Sequence, residues 1–101
     1  MFVTVLAPEV IAAVAPLSAI GATMGAGYAT LGAVHAGTAS TPANMDPMGL
    51  AAHAALHAHH AAAQGMGAEG MAVHAMTVAT MGASGFAYAA EDVANMATLG
   101  L

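Results

Sequence analysis

From Val10 onward, apolar or small residues recur at alternating steps of four and three: Val10, Val14, Leu17, Gly21, Met24, Tyr28 and Leu31. That spacing keeps one stripe on one side of an α-helix, a heptad-like seam, and the neighbouring Ile11 and Ile20 widen it. It predicts a first helix over about residues 8–36. Pro8-Glu9 is a good opening, because proline at a first turn forfeits no intrahelical bond and an acid there faces the positive end of the helix dipole. Pro16 predicts a kink about one turn in. Gly21, Gly25, Gly27 and Gly32 each cost a helix up to ~1 kcal/mol relative to Ala, so their presence predicts another backbone close by.

The pattern breaks at residues 37–46, Gly-Thr-Ala-Ser-Thr-Pro-Ala-Asn-Met-Asp, which is turn chemistry. Asp46-Pro47 then reads as an N-cap followed by the first residue of a second helix. This helix is expected over about residues 47–83. Its seam runs through Leu50, His53, His57, His60, Gln64, Gly67, Met71, His74, Val78 and Met81, with a soft spot at Gly65-Met-Gly-Ala-Glu-Gly70. Residues 84–101 read as a tail. The fold class is all-α, a long antiparallel two-helix hairpin.

Composition narrows what such a hairpin can do. Across 101 residues there is no Lys, Arg, Cys or Trp, and only five acids. Nothing can neutralise phosphates, which argues against nucleic acid and against attraction to anionic lipid. Absent cysteine removes disulfides and thiolate metal sites and leaves the redox compartment open. The start has no basic n-region and its apolar run meets Pro8-Glu9 early, so no Sec signal peptide is expected. Apolar residues reach 59%, yet most are Ala, which favours helix while offering little surface to bury. One stripe per helix seldom stabilises a chain of this size, so a partner supplying further helices is expected. The uncharged stretch from Val10 to Ala43 raises the alternative of a membrane-embedded hairpin, such as a small channel or rotor-type subunit, although no basic residue exists to orient it.

Several local patterns add up to a resemblance. They are Pro8-Glu9 within Phe2-Val-Thr-Val-Leu-Ala-Pro-Glu-Val-Ile11, the stretch Leu17-Ser-Ala-Ile-Gly-Ala-Thr-Met24, and Pro42 four residues before Asp46. To these are added His59 and His74 at set distances from that proline, and Tyr88-Ala-Ala-Glu-Asp-Val-Ala-Asn95. In order and spacing the chain resembles the PE (Pro-Glu) proteins of mycobacteria over essentially its whole length. The resemblance implies a non-enzymatic hairpin that pairs lengthwise with a PPE (Pro-Pro-Glu) protein to complete a four-helix bundle. It implies export by a type VII secretion system to the cell surface, the medium or the host. Tyr88, Asp92 and Asn95 would carry the export signal, and Pro8 and Glu9 the N-terminal motif. An EspG-type chaperone would be engaged only through the PPE partner. Val10, Val14, Leu17, Met24, Tyr28, Leu31, Met71, Val78 and Met81 are expected to form the partner interface. Ending at Leu101, the chain is expected to be a PE domain alone.

Two features invite chemistry beyond this. Tyr88 and Asp92 lie four residues apart on one face, so a receptor can read ring and carboxylate together. His53, His57 and His60 fall on one stripe, and three neutral imidazoles could hold Zn²⁺ with one position open. No carboxylate anchors them and they have no counterpart in the family pattern, so no metal and no cofactor is expected. A polar seam or a pH-sensitive interface is the plainer use. No phosphate loop, acid–base pair or Ser-His-Asp arrangement is discernible, so no enzyme is expected.

Overall fold

The computed structural model describes residues 7–38 and 46–100. It is all-helical, with two long helices in a hairpin: α1 (Ala7–Thr38) and α2 (Pro47–Leu99). The expected turn, with Pro42, lies mostly outside the described residues, as does the stretch Phe2–Leu6 that precedes Pro8-Glu9.

The helix ends follow the chemistry of their caps. Glu9 sits in the first turn of α1 beside Pro8. At the start of α2 the Asp46 carboxylate accepts the Gly49 N–H at 2.6 Å, and the Asp46 carbonyl accepts the Leu50 N–H at 3.0 Å. The carboxylate thus satisfies one otherwise orphaned donor, and the carbonyl accepts the first intrahelical bond. α2 stops where Gly100 takes φ 70°, a left-handed conformation that glycine adopts without Cβ strain.

One local expectation is corrected, the end of α2. α1 stays helical through Pro16, and α2 stays helical through Gly65, Gly67 and Gly70. α2 also continues to Leu99, well past the expected end near Ala83. Gly82 and Gly85, which look like terminators in sequence, are buried against α1 instead. A Cβ at residue 82 would stand 3.6 Å from Val14 Cγ2, and one at residue 85 only 2.8 Å from Ile11 Cγ1. The glycines let α2 approach α1, and that packing carries the helix onward.

The helices divide into two compact units, residues 1–21 with 73–101 and residues 22–72. In the first, α1 lies antiparallel to α2 through the pairs Ile11–Gly85, Val14–Gly82 and Gly21–His74. In the second the pairs are Gly25–Met71, Tyr28–Gly67 and Gly32–Gln64. Large residues on one helix meet glycines on the other in both units. Among the described residues only Ala7 and Val78 are buried hydrophobics. Leu31, expected on the seam, is 59% exposed, and the neighbouring Gly32 faces α2 in its place. Phe86, Val93, Met66 and Met76 are all more than half exposed. The hairpin's own core is therefore as thin as its alanine content implies.

Candidate functional site

Tyr88, Asp92 and Asn95 belong to α2 and not to a separate tail. They sit within α2, all exposed, on one stripe at steps of four and three, and Leu99 continues the stripe another turn on. Tyr88 is 52% exposed and Leu99 72%. From Ala90 to Leu99 every residue is exposed, so this last stretch of helix presents its side chains without using them for its own packing.

The residues expected to meet a partner are divided by the structure. Val78 is buried, and Val14 and Met71 lie against Gly82 and Gly25. These serve the chain's own seam. Leu17 is half-buried beside an interhelical hydrogen bond, in which His74 Nε2–H donates to the Leu17 carbonyl at 2.8 Å. The others remain open on one side. Val10 and Met81 line a shallow groove of about 390 Å³ with Val73, Met76 and Thr80. Met24, Tyr28 and Leu31 line another of about 300 Å³.

The histidine stripe becomes a four-membered cluster, because α1 adds His35. His35 Nε2 lies 3.1 Å from His57 Nδ1, and His57 Nε2 lies 3.0 Å from His53 Nε2. His60 stacks on His35 with ring centroids 3.7 Å apart and planes 10° from parallel. His59 is exposed. Desolvation lowers the pKa of His35, and His60, His57 and His53 lower it further by mutual repulsion of imidazolium charges. His57 spends its two ring nitrogens on two different neighbours. Accordingly, no group of three or more His, Asp or Glu among the described residues is arranged to hold a metal ion. Sequence reasoning placed His53, His57 and His60 correctly on one stripe but missed His35. The signal was present: residues 14, 21, 28 and 35 continue the heptad of the α1 seam.

Comparison with known families decides the chain's kinship. The PE family model matches residues 3–95, nearly the whole chain. The chain belongs to the PE family. No curated protein and no solved structure matches it. Within the PE match lie Pro8-Glu9, both helices up to Asn95 and the complete Tyr88–Asn95 stripe. The histidine cluster lies inside the match as well.

Proposed function

We propose that this PE chain is a non-enzymatic type VII secretion substrate that pairs with a PPE protein, completing a four-helix bundle, and acts at the mycobacterial envelope or in the host. The observation that carries this proposal is the exposed Tyr88–Asp92–Asn95 stripe on a PE-family hairpin. A ring and a carboxylate one helical turn apart form a feature that a receptor groove can read, and the helix holds both in place.

The thin core supports the need for a partner. PPE helices are proposed to cover the open flank of the seam at Val10, Met24, Tyr28, Leu31 and Met81, together with Val73 and Met76. Val14, Leu17, Met71 and Val78 hold the hairpin in the shape the partner grips. The EspG-type chaperone is then reached only through the PPE subunit.

α1 is also long and apolar enough to cross a membrane, over Ala7–Ala36. No second helix of that kind is found among the described residues, and α2 carries His53, His60, Gln64 and His74 along its seam. Burying that polar row at membrane depth is costly, which favours a protein partner. Co-expression with a PPE protein tests the choice. A soluble one-to-one complex is expected, abolished by Leu31→Asp, which would place an unpaired carboxylate under the partner. A detergent-dependent chain that ignores every PPE protein would overturn the proposal.

A further inference from the structure

In the unit of residues 1–21 with 73–101 the two helices keep one antiparallel register. Gly21 faces His74, Val14 faces Gly82 and Ile11 faces Gly85, so α2 advances as α1 is followed back toward its start. Four more steps put Ala7, the buried first residue of α1, beside half-buried Ala89. α2 does not stop there. It continues over Ala90–Leu99, about 15 Å at ~1.5 Å per residue, and every residue of that stretch is exposed. The seam stripe nonetheless goes on: Val78, Gly82, Gly85 and Ala89 are followed at steps of four and three by Val93 and Met96. Val93 is 62% exposed and Met96 48%. These two large apolar side chains hold seam positions beyond the first residue of α1.

The chain itself supplies a cover of matching length and chemistry. Phe2-Val-Thr-Val-Leu6 immediately precedes Ala7, and it is apolar at every position but Thr4 and carries no charge. Extended, such a segment spans about 16 Å at ~3.3 Å per residue, close to the length of the bare helix end. Pro8 argues against continuing α1 upstream, because its ring would meet the Thr4 carbonyl four residues back and leave that carbonyl without a donor. Val3, Thr4 and Val5 are β-branched and favour extended chain. To fold back onto the shallow groove at Val73, Met76 and Met81 the chain would have to reverse, and residues 2–7 hold no Gly, Pro, Asn, Asp or Ser to turn it. Being contiguous with α1, the segment also meets the helix end at a high effective concentration that a second copy lacks.

We propose that Phe2–Leu6 docks in extended form along the exposed end of α2, on the seam face formed by Val93 and Met96, and braces that end of the helix. An extended residue advances about twice as far as a helical one, so Val5 stands near the level of Val93 and Val3 near the last turn. The brace explains how a helix end without packing partners on α1 stays wound, since a short unsupported helical stretch in water is marginal. It leaves the Tyr88–Asp92–Asn95 stripe open, because Tyr88 lies about 100° round the helix from Ala89 at ~3.6 residues per turn. The docking depends neither on the identity of the partner nor on the stripe's role in export.

The absence of cysteine from the chain makes the test direct. Val5→Cys combined with Val93→Cys is oxidised mildly in the full chain in its assembled state, and the bonds are mapped on non-reduced peptides. An intrachain disulfide is expected, forming at least about tenfold faster than in Val5→Cys with Met76→Cys, because a disulfide needs Cα atoms within about 7 Å. Equal rates, or a faster bond to residue 76, would place the segment on the groove and overturn the proposal. A bond joining two copies would assign the face to self-association and overturn it too, as would the absence of any bond. Hydrogen exchange separates a stable brace from a rare encounter. Val3→Asp with Val5→Asp should speed exchange over residues 90–99 at least about tenfold while amides around Val78 keep their protection. Unchanged exchange over residues 90–99 overturns the brace even where the disulfide forms. Should protection around Val78 fall as well, Val3→Ser with Val5→Ser gives the same comparison more mildly, and equal loss in both regions there overturns it.

Discussion

His74 occupies the space left by the missing side chain of Gly21. A Cβ on residue 21 would stand 2.8 Å from His74 Cδ2 and 3.1 Å from Nε2, so the glycine is what lets the imidazole reach the Leu17 carbonyl. Gly21→Ala gains up to ~1 kcal/mol of helix propensity but evicts the ring. The net expectation is a loss of about 1 kcal/mol or more from overpacking and the lost hydrogen bond. Because both changes remove one shared contact, Gly21→Ala combined with His74→Ala should cost less than the sum of the two alone. Denaturant midpoints of the four proteins in their assembled state measure this, and strict additivity would show that the two residues are independent.

Gly67 and Gly70 separate space from propensity. A Cβ at residue 67 would overlap the ring of Tyr28, whereas at residue 70 it meets nothing within 4 Å. Gly70→Ala should therefore stabilise by up to ~1 kcal/mol, and Gly67→Ala should destabilise by about 1–3 kcal/mol as the rigid ring is displaced. Melting temperatures that rise for both would refute the packing of Tyr28 on α2.

The hairpin was legible because its causes are local. The four-three spacing of Val10 through Tyr28, the Pro8-Glu9 opening and the Asp46-Pro47 cap each act within a turn or two. What was not legible depended on contacts between residues far apart in sequence. Gly82 and Gly85 resemble a helix end until Val14 and Ile11 are placed against them, and Leu31 fits the seam until Gly32 is found to face Gln64. The Tyr88 stripe was read in the right order but assigned to a tail, for the same reason that α2 was ended too soon. His35 was overlooked because it stands alone in α1, and only the antiparallel pairing brings it to His57 and His60.

The lowered pKa of His35 fixes the direction of one pH effect. Between its folded value and the ordinary 6.5 the unfolded chain binds more protons than the folded one, so stability rises with pH across that window. The contribution is fully present above about 6.5 and declines as pH falls toward the folded value. His35→Gln should flatten the denaturant midpoint below neutrality relative to wild type, with little change at alkaline pH. A wild-type midpoint that improves on acidification through this range would contradict the assignment.

Export is the outcome that the exposed end of α2 should control. Tyr88→Ala and Asp92→Ala are expected to leave the assembled complex intact while keeping the protein in the cell. The physical ground is that both residues lie beyond Gly85, the last buried position among the described residues, and are exposed with only half-buried Ala89 between them. Removing an exposed side chain there should change stability by about 0.5 kcal/mol or less. What is lost is the pairing of a ring with a carboxylate one turn along a rigid helix, which a receptor groove requires in register. Inserting two alanines directly after Tyr88 sharpens the comparison, because it keeps both groups and the helix but rotates Asp92 by about 200° at ~3.6 residues per turn and leaves Glu91 out of register as well. Amounts of each variant in cell pellet and culture filtrate, with the co-purified partner beside them, read out both effects. Secretion of the insertion variant at wild-type levels would mean that the residues act separately. A collapse of the complex in Tyr88→Ala would instead return the tyrosine to a packing role against the partner.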